Sequence, residues 1–289
     1  MPMAIPTLID RFALLAPHYD AVLSDVWGVV HNGVAAFPAA CEALSHFRAG
    51  GGAVVLITNA PRPNEVVMRM LDRLGVPRTA YDGIVSSGDV TRSVISGRAS
   101  KTVFHLGPER DRSIFDGLDI RFAAAESADY VVCSGLFNDE TETPDNYRAL
   151  LDAMHSRGLS MVCANPDVVV ERGERLVYCA GAIADCYAAL GGEVLYAGKP
   201  YRPIYDAALA KAVAVRGMDI ARDRVLAIGD SVRTDVKGAA SFGIDCLFVT
   251  TGIHAEELGA RNDPDAKVLG GIFAAAGVAP KAVMRQLAW

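Results

Sequence analysis

Three short apolar runs, each ending in polar residues, constrain the fold of this 289-residue chain most strongly. The run at 21–26 has Asp25 near its end, and the runs at 53–57 and 224–228 are followed by Thr58-Asn59 and Asp230. Apolar runs of this length, bounded by turn residues, are typical of buried strands in a parallel sheet. Helical patterns at 38–49 and 61–74 separate and follow the first two runs. This rhythm predicts a doubly wound, Rossmann-like α/β sheet.

The same periodicity predicts further elements near both ends of the chain. Leu8, Ile9, Phe12 and Leu15 have helical spacing, so we expect a helix over 7–16 with Thr7 as its N-cap. Near the other end, the pattern predicts helices at 204–216 and 234–242 and a strand at 245–249.

The pattern changes between about residues 83 and 197. Short strands are predicted at 102–106, 130–133, 160–163 and 194–196, and helices at 144–156 and 181–190. Ser86-Ser87-Gly88 is interpreted as a hinge. The stretch is long enough to form its own core. We therefore predict a core domain at 1–83 and 197–289, interrupted by an inserted α/β domain at 84–196.

Composition excludes several classes of protein. The net charge of −6 lacks the basic bias of a general nucleic-acid binder. None of the six cysteines forms a C-x-x-C pair, which argues against zinc, and their apolar surroundings indicate a reducing compartment. No signal peptide and no run of about 18 apolar residues is recognised. We expect a cytoplasmic protein without membrane or nucleic-acid partners.

The polar residues at the strand ends predict phosphoryl chemistry. In open α/β sheets, ligands bind outside the carboxyl ends of the strands. There, Asp25 and Asp230, with Asp235 one helical turn further on, offer oxygen ligands suited to Mg²⁺. The Thr58 hydroxyl, backbone amides and the Lys199 ammonium supply donors and charge for a phosphoryl group.

Each of these residues also has a purely structural interpretation. Asp25 and Thr58-Asn59 are residue types common in turns, and Lys199 is of a type that is usually solvated. Asp230-Ser231 has the form of a helix N-cap, and Asp235 is an acid favoured in a first helical turn. Their order and their shared place at strand ends favour the functional interpretation.

The sequence resembles the haloacid dehalogenase (HAD) superfamily in four motifs. They are Asp25-Val26-Trp27-Gly28-Val29, Thr58-Asn59, Lys199 and Gly229-Asp230-Ser231-Val232-Arg233-Thr234-Asp235. Details around the second and third motifs are similar to subclass IIA, which includes NagD and 4-nitrophenylphosphatases. The resemblance implies a HAD core with a mobile α/β cap inserted at about 84–196. Asn165-Pro166-Asp167 and Gly181-Ala182-Ile183 resemble signature stretches of that cap, which lie near the substrate.

The resemblance also implies roles for individual residues. Asp25 would attack phosphorus, and Thr58, the Asn59 amide and Lys199 would hold the phosphoryl oxygens. Mg²⁺ would be bound by Asp25, the backbone carbonyl of Trp27 and Asp230. Asp235 would hold a metal-bound water or stabilise the site without touching the metal. Asn165 and Asp167 would contribute to substrate binding.

The chain departs from the family pattern at Trp27. Most HAD phosphatases carry an aspartate there, which protonates the leaving group and then activates water. An indole N–H only donates and cannot exchange protons near neutral pH. General acid–base help is typically worth about 10²–10⁴-fold in rate, so we expect slow turnover. Asp230 and Asp235 keep the metal-dependent pattern, which disfavours dehalogenation.

Three hypotheses follow from these residues. The first is a Mg²⁺-dependent phosphatase acting on a small phosphorylated metabolite such as a sugar phosphate, with a good leaving group or with His31 as a surrogate acid. The second is a phosphate-ligand binder or sensor, and the third is a phosphoryl-transfer enzyme with a long-lived aspartyl-phosphate. An intact Asp25 favours the first. Subclass IIA proteins are often dimers, so a homodimer is a further hypothesis.

Overall fold

The computed structural model describes residues 7–172, 175–252 and 266–289. The chain folds into two compact units. The core unit takes in the described parts of Met1–Thr58, Met68–Val85 and Tyr205–Trp289, and the inserted unit takes in those of Asn59–Val67 and Ser86–Ile204. The interpretation of 84–196 as a cap domain stays a prediction.

Strands and helices alternate along most of the described chain. The strands are β1 (Thr7–Leu8), β2 (Ala21–Asp25), β3 (Ala53–Thr58), β4 (Gly83–Ser86), β5 (Thr102–Leu106), β6 (Arg121–Phe122), β7 (Tyr130–Cys133), β8 (Ser160–Cys163), β9 (Val169–Arg172), β10 (Arg175–Tyr178), β11 (Val194–Tyr196), β12 (Val225–Gly229), β13 (Asp245–Val249) and β14 (Ala282–Met284). The α-helices are α1 (Pro38–Ala49), α2 (Asn64–Leu74), α3 (Ser87–Ser96), α4 (Arg148–Ser156), α5 (Ala180–Ala189), α6 (Arg202–Arg216), α7 (Lys237–Phe242) and α8 (Ala266–Ala276).

A seven-stranded sheet of order β1-β14-β13-β12-β2-β3-β4 forms the core unit. The strands from β1 through β3 in this order pair in parallel. The register places Ser24 beside Ile228 and Asp25 beside Ile57, so β2 lies between β12 and β3. Since β2 and β12 are fully buried, apolar side chains fill both faces, as the sequence predicts. The parallel sheet with flanking helices confirms the Rossmann-like α/β fold.

The inserted unit has its own parallel sheet, of order β11-β8-β7-β5-β6. Two separate apolar clusters pack on it, one including Leu151 of α4 and Ile183 of α5, the other including Ile95 of α3. Strands β9 and β10 form an antiparallel hairpin apart from this sheet. The strands predicted at 102–106, 130–133, 160–163 and 194–196 are all present at those bounds.

The predicted N-terminal helix is wrong. Residues 7–8 form β1, and short 3₁₀ turns follow at Phe12–Leu14 and Ala16–His18. The backbone donors of this segment are used by the distant C-terminal segment: Ile9 donates to the Val283 carbonyl at 2.9 Å, and Phe12 donates to the Ala288 carbonyl at 2.7 Å. Local periodicity cannot predict pairing between segments that lie so far apart in the sequence.

Residues 86–88, interpreted as a hinge, form the junction between β4 and α3, and the hinge itself stays a prediction. Ser86 ends β4 and caps α3, since its hydroxyl accepts the Asp89 amide proton while the Asp89 carboxylate accepts that of Ser86. This reciprocal capping box satisfies two donors that a helix start otherwise leaves without partners. Across the described ranges, every helix is too short or too polar to span a lipid bilayer.

Candidate active site

The carboxyl end of β2 carries the first candidate residue, Asp25. Its carboxylate is buried, and its Oδ1 accepts a hydrogen bond of 2.7 Å from the Val26 amide. A buried strand on each side of β2 fixes the backbone that presents this carboxylate. Asp25 is thus held in one place, as a nucleophile or a metal ligand must be.

Two further carboxylates follow β12, the neighbour of β2. Asp230 comes directly after the strand, and Asp235 lies within a π-helical turn at Val232–Val236. Ser231 caps this turn, because its hydroxyl accepts the Thr234 amide proton at 3.3 Å. The Asp235 Oδ2 atom in turn accepts the Ser231 amide proton at 3.2 Å. The N-cap predicted for Asp230-Ser231 is therefore present at Ser231, and it directs Asp235 back toward the strand end.

Asp25, Asp230 and Asp235 converge. Each offers a carboxylate oxygen, these oxygens lie within 4.8 Å of one another, and all three residues are buried. Like charges this close repel strongly in a low-dielectric site, so a hard cation with several oxygen ligands matches the set. The three residues thus fit a divalent metal, and the sequence predicted each of them as a ligand or a holder of metal-bound water.

Gly28 and Gly252, which have no side chain, leave the space that the Asp230 carboxylate occupies. A Cβ atom on Gly28 would lie 1.9 Å from the Asp230 Oδ2, and one on Gly252 would lie 1.6 Å from the same atom. Gly28 also has a φ of +79°, a region that favours glycine. Both glycines follow strands that end at one edge of the sheet, β2 and β13, and this shared position is the signal in the sequence that could have identified them.

Thr58 and Lys199 are the remaining predicted catalytic residues. Thr58 ends β3, the other neighbour of β2, and is half-buried. Lys199 lies in the inserted unit and is 2 % exposed, which rules out the interpretation of a solvated lysine. A lysine buried to this extent is rare unless it has partners.

The side chain of Asn59 is bound to the backbone of Lys199. Its Oδ1 accepts the Lys199 amide proton at 2.7 Å, and its Nδ2 donates to the Lys199 carbonyl at 3.0 Å. The same Nδ2 donates to the Asp167 Oδ1 at 2.8 Å. Gly198 permits this approach, because a Cβ there would lie 2.4 Å from the Asn59 Oδ1.

The predicted substrate-binding residues Asn165 and Asp167 belong to one turn. The Asn165 Oδ1 accepts the Asp167 amide proton at 3.1 Å, and the Asp167 carbonyl accepts that of Gly181 at 3.0 Å in the first turn of α5. A Cβ on Gly181 would lie 2.3 Å from the Pro166 carbonyl oxygen. The two stretches that resemble cap signatures therefore contact each other within the inserted unit.

Trp27 lies two residues after Asp25, at the position where the family resemblance implies an aspartate. Its indole is 43 % exposed and lies edge-on to His31, with 5.3 Å between the ring centroids. A Cβ on Gly33 would lie 2.2 Å from the indole Cη2, so the ring packs directly on that glycine. The indole is held by the turn that carries it.

His31 does not have the features of a surrogate acid. It is fully buried, and its Nδ1 accepts the Gly33 amide proton at 2.9 Å. Burial lowers the pKa of this imidazole to about 4, so His31 is neutral near pH 7. It is a structural residue of the 28–33 turn.

Comparison with known proteins places these features in a family. Residues 22–121 match the family described as haloacid dehalogenase-like hydrolase, and residues 196–272 match a second family described as HAD-hydrolase-like. A solved structure from Brucella suis 1330, a hydrolase of the haloacid dehalogenase-like family, is 47 % identical with a TM-score of 0.84. It covers 97 % of this chain and 100 % of its own.

More distant structures share the fold. A "possible sugar phosphatase" from Cytophaga hutchinsonii is 20 % identical, with a TM-score of 0.78 and coverage of 97 % of this chain and 98 % of its own. A p-nitrophenyl phosphatase from Archaeoglobus fulgidus is 21 % identical, with a TM-score of 0.72 and coverage of 93 % and 97 %. The predicted resemblance to the nitrophenylphosphatase type is confirmed at the level of the fold. On its match to the Brucella protein over almost its whole length, the chain belongs to the haloacid dehalogenase-like hydrolase family.

Proposed function

We propose that this chain is a Mg²⁺-dependent phosphatase that hydrolyses a small phosphate monoester through an aspartyl-phosphate on Asp25. The observation that carries the proposal is the convergence of three buried carboxylates at the carboxyl ends of β2 and β12. A carboxylate nucleophile needs a fixed position and an electrophile whose charge is neutralised. The cluster fixes the position of Asp25, and a cation bound to it would neutralise the charge of the phosphoryl group.

Asp25, Asp230 and the backbone carbonyl of Trp27 would hold the cation, and Asp235 would hold one of its water ligands. When bound, Mg²⁺ neutralises charge on the phosphoryl oxygens and on the carboxylates around it. The oxygen-only character of the side chains favours Mg²⁺ over softer metals. The fit of Gly28 and Gly252 against Asp230 supports a built site, since any side chain at either position would displace that carboxylate.

The phosphoryl oxygens would be bound by the Thr58 hydroxyl, the Asn59 backbone amide and the Lys199 ammonium. We assign the backbone amide of Asn59 to this role because its side chain is hydrogen-bonded to Lys199 and Asp167. Ionised donors of this kind make strong hydrogen bonds to phosphate. Asn165 and Asp167 would bind the substrate beyond its phosphoryl group.

The names of structural relatives support the same reaction class. The Cytophaga and Archaeoglobus proteins are called a possible sugar phosphatase and a p-nitrophenyl phosphatase. A small phosphorylated metabolite is the substrate class that we propose here, with a sugar phosphate as one member. None of the six cysteines, which all lie in the described ranges, forms a disulfide, and this agrees with a reducing, cytoplasmic location.

Trp27 favours a second candidate function, in which phosphate is bound or transferred and is not released rapidly. A site without a second carboxylate next to the nucleophile would release phosphate slowly, so the chain would act as a binder, or as a phosphoryl-transfer enzyme with a long-lived phospho-enzyme. An intact Asp25 beside Asp230 and Asp235 favours hydrolysis, because a pure binder does not need a nucleophile.

The test is phosphate release by purified protein with Mg²⁺, on p-nitrophenyl phosphate and a panel of sugar and glycolytic phosphates. Asp25→Asn is the matched control, since it keeps the shape of the side chain and removes its charge. We expect turnover in the native protein, loss of at least 1,000-fold in the variant, and loss of activity in excess chelator. Mg²⁺-dependent binding of phosphate esters without any turnover would overturn the phosphatase and leave the binder.

A further inference from the structure

The loop that leaves β2 presents an exposed aromatic surface close in sequence to Asp25. Trp27 is 43 % exposed although tryptophan usually buries most of its area. Its ring is fixed by edge contact with His31 and by packing on Gly33. A fixed, exposed indole offers a large apolar face to which a ligand ring can bind by stacking.

The same loop carries few groups that can exchange a proton. Between Asp25 and Phe37 the one titratable side chain is His31. Its imidazole is fully buried and lies edge-on to the Trp27 ring, and its Nδ1 already accepts the Gly33 amide proton. Asp230 packs against Gly28 of this loop, and Asp235 accepts the Ser231 amide proton; both carboxylates belong to the proposed metal cluster.

We infer that this active site selects phosphate compounds whose leaving oxygen is stable as an anion, and that Trp27 forms an apolar contact surface for the leaving group. The inference rests on the proposed function, and it names the substrate class. An alkyl phosphate expels an alkoxide, a strong base whose conjugate acid has a pKa close to that of water, so it needs a proton donor. A phenolate or carboxylate leaving group, with a conjugate-acid pKa of about 10 or about 4, needs none.

The two chemical steps balance without a protein acid. In the first, the Asp25 carboxylate oxygen forms a bond to phosphorus, the bond from phosphorus to the leaving oxygen breaks, and that oxygen departs with the electron pair as an anion. In the second, a water oxygen bonds to phosphorus, the aspartyl oxygen recovers its electron pair, and the surplus proton passes to phosphate or solvent.

The second step has no general base on this loop either, so it is the slower one. Formation of the aspartyl-phosphate from a good substrate then outpaces its hydrolysis. The native enzyme accumulates phospho-enzyme, and release of the leaving group shows a burst equal to one equivalent of active sites.

The experiment compares leaving groups of graded basicity on the native enzyme, Trp27→Asp and Trp27→Phe. The series is a set of substituted phenyl phosphates, acetyl phosphate as the acyl member, and glycerol phosphate as the alkyl member. We expect the native rate to fall steeply with leaving-group pKa, with glycerol phosphate at least about 100-fold below p-nitrophenyl phosphate. Trp27→Asp should flatten this dependence by supplying an acid, while Trp27→Phe should keep it.

The aromatic contact has its own readout. Trp27→Phe should leave KM for phenyl phosphates within about twofold of the native value, and Trp27→Ala should raise it severalfold without raising KM for acetyl phosphate, which has no ring to stack. Thermal melting of each variant identifies any that fails to fold. If the phenyl phosphates lose no affinity in Trp27→Ala, the contact surface is wrong.

Two outcomes separate this inference from the function on which it rests. Turnover that is equally fast for glycerol phosphate and p-nitrophenyl phosphate would overturn the inference and leave the phosphatase intact. Absence of both burst and turnover with every compound would overturn the proposed function, and the inference with it. A one-equivalent burst followed by slow release supports both.

Discussion

The side-chain amide of Asn59 pairs with both polar groups of Lys199's own backbone. The Lys199 N–H donates to the Asn59 Oδ1 at 2.7 Å, and the Asn59 Nδ2 donates to the Lys199 carbonyl at 3.0 Å. Both residues are at least 95 % buried, so these bonds form in a low-dielectric interior. Asn59 is therefore a positioning residue for the lysine that we propose as a phosphate ligand.

Asn59→Asp should weaken phosphate binding without unfolding the protein. The substitution keeps the acceptor for the Lys199 amide but replaces the donor to the Lys199 carbonyl and to Asp167 with a carboxylate oxygen. A buried carbonyl without its donor costs about 1–3 kcal/mol, which corresponds to roughly 10- to 100-fold in affinity if the loss appears in binding. Inhibition by inorganic phosphate measures this change directly.

Asp167→Asn is the matched control for this prediction. An asparagine at 167 still accepts the Asn59 Nδ2–H, so the pairing of Asn59 with Lys199 should persist and phosphate inhibition should change less than threefold. In a Lys199→Ala background, Asn59→Asp should have no further effect on phosphate inhibition, because the two residues act as a unit. Full additivity of the two substitutions would contradict the positioning role.

Gly252→Ala should remove metal binding by a steric route. The new Cβ would lie 1.6 Å from the Asp230 Oδ2, a distance that forces the carboxylate out of the cluster. We expect the affinity for Mg²⁺, measured by calorimetry, to fall at least tenfold. Gly28→Ala should act in the same way, with added backbone strain from its φ of +79°.

Gly243→Ala is the control for Gly28→Ala and Gly252→Ala, because it introduces backbone strain without a steric clash with Asp230. Gly243 ends α7 with a φ of +81°, and the space around its Cβ position is open. Alanine there should lower the free energy of unfolding by about 1 kcal/mol and leave Mg²⁺ affinity unchanged. Equal losses of Mg²⁺ affinity at 243 and 252 would show that Asp230 does not depend on the space that Gly252 provides.

Local sequence signals predicted the bounds of an element correctly where both of its ends carry a start or stop residue. Helix α1 occupies the predicted range of 38–49, because Pro38 favours a first helical turn and Gly50-Gly51-Gly52 terminates the pattern. The carboxylates Asp25 and Asp230 were predictable for a related reason: parallel strands place their carboxyl ends at one edge.

Contacts between distant segments were not predictable. The 7–8 strand depends on pairing with Ala282–Met284, and nothing in the local spacing at 7–16 reports it. Likewise, the sequence nominated Asn59, Asp167 and Lys199 separately as substrate-binding residues. That the Asn59 side chain binds the other two depends on how residues 108 and 140 positions apart fold together.

The protein should lose stability as the pH falls from about 6.5 to 4. Burial lowers the pKa of His31 and of His105 to about 4, while both titrate near 6.5 in the unfolded chain. The unfolded state therefore binds more protons in this window, so the free energy of unfolding falls with acidification, by up to about 3 kcal/mol for His31. Urea unfolding at pH 7.0, 5.5 and 4.5 measures the slope.

His31→Asn tests the assignment of this pH dependence. The asparagine Oδ1 can accept the Gly33 amide proton in place of the imidazole Nδ1, and it does not titrate. The variant should show a smaller fall in stability between pH 7.0 and 4.5 than the native protein. An unchanged slope would mean that groups other than His31 cause the acid sensitivity.

Mg²⁺ should stabilise the folded protein, and this stabilisation should depend on Asp230. Three buried carboxylates with oxygens within 4.8 Å form a site that the unfolded chain lacks, so binding adds to the free energy of unfolding, by about 2.7 kcal/mol at a metal concentration 100 times Kd. Asp230→Asn removes one charge and one strong ligand, and we expect it to lose most of the Mg²⁺-dependent rise in melting temperature. Asp219→Asn makes the same change of charge at an exposed position and should keep the full rise. Because melting needs neither substrate nor turnover, this measurement tests the metal site even if the substrate class is wrong, and an equal rise in both variants would show that Mg²⁺ binds elsewhere.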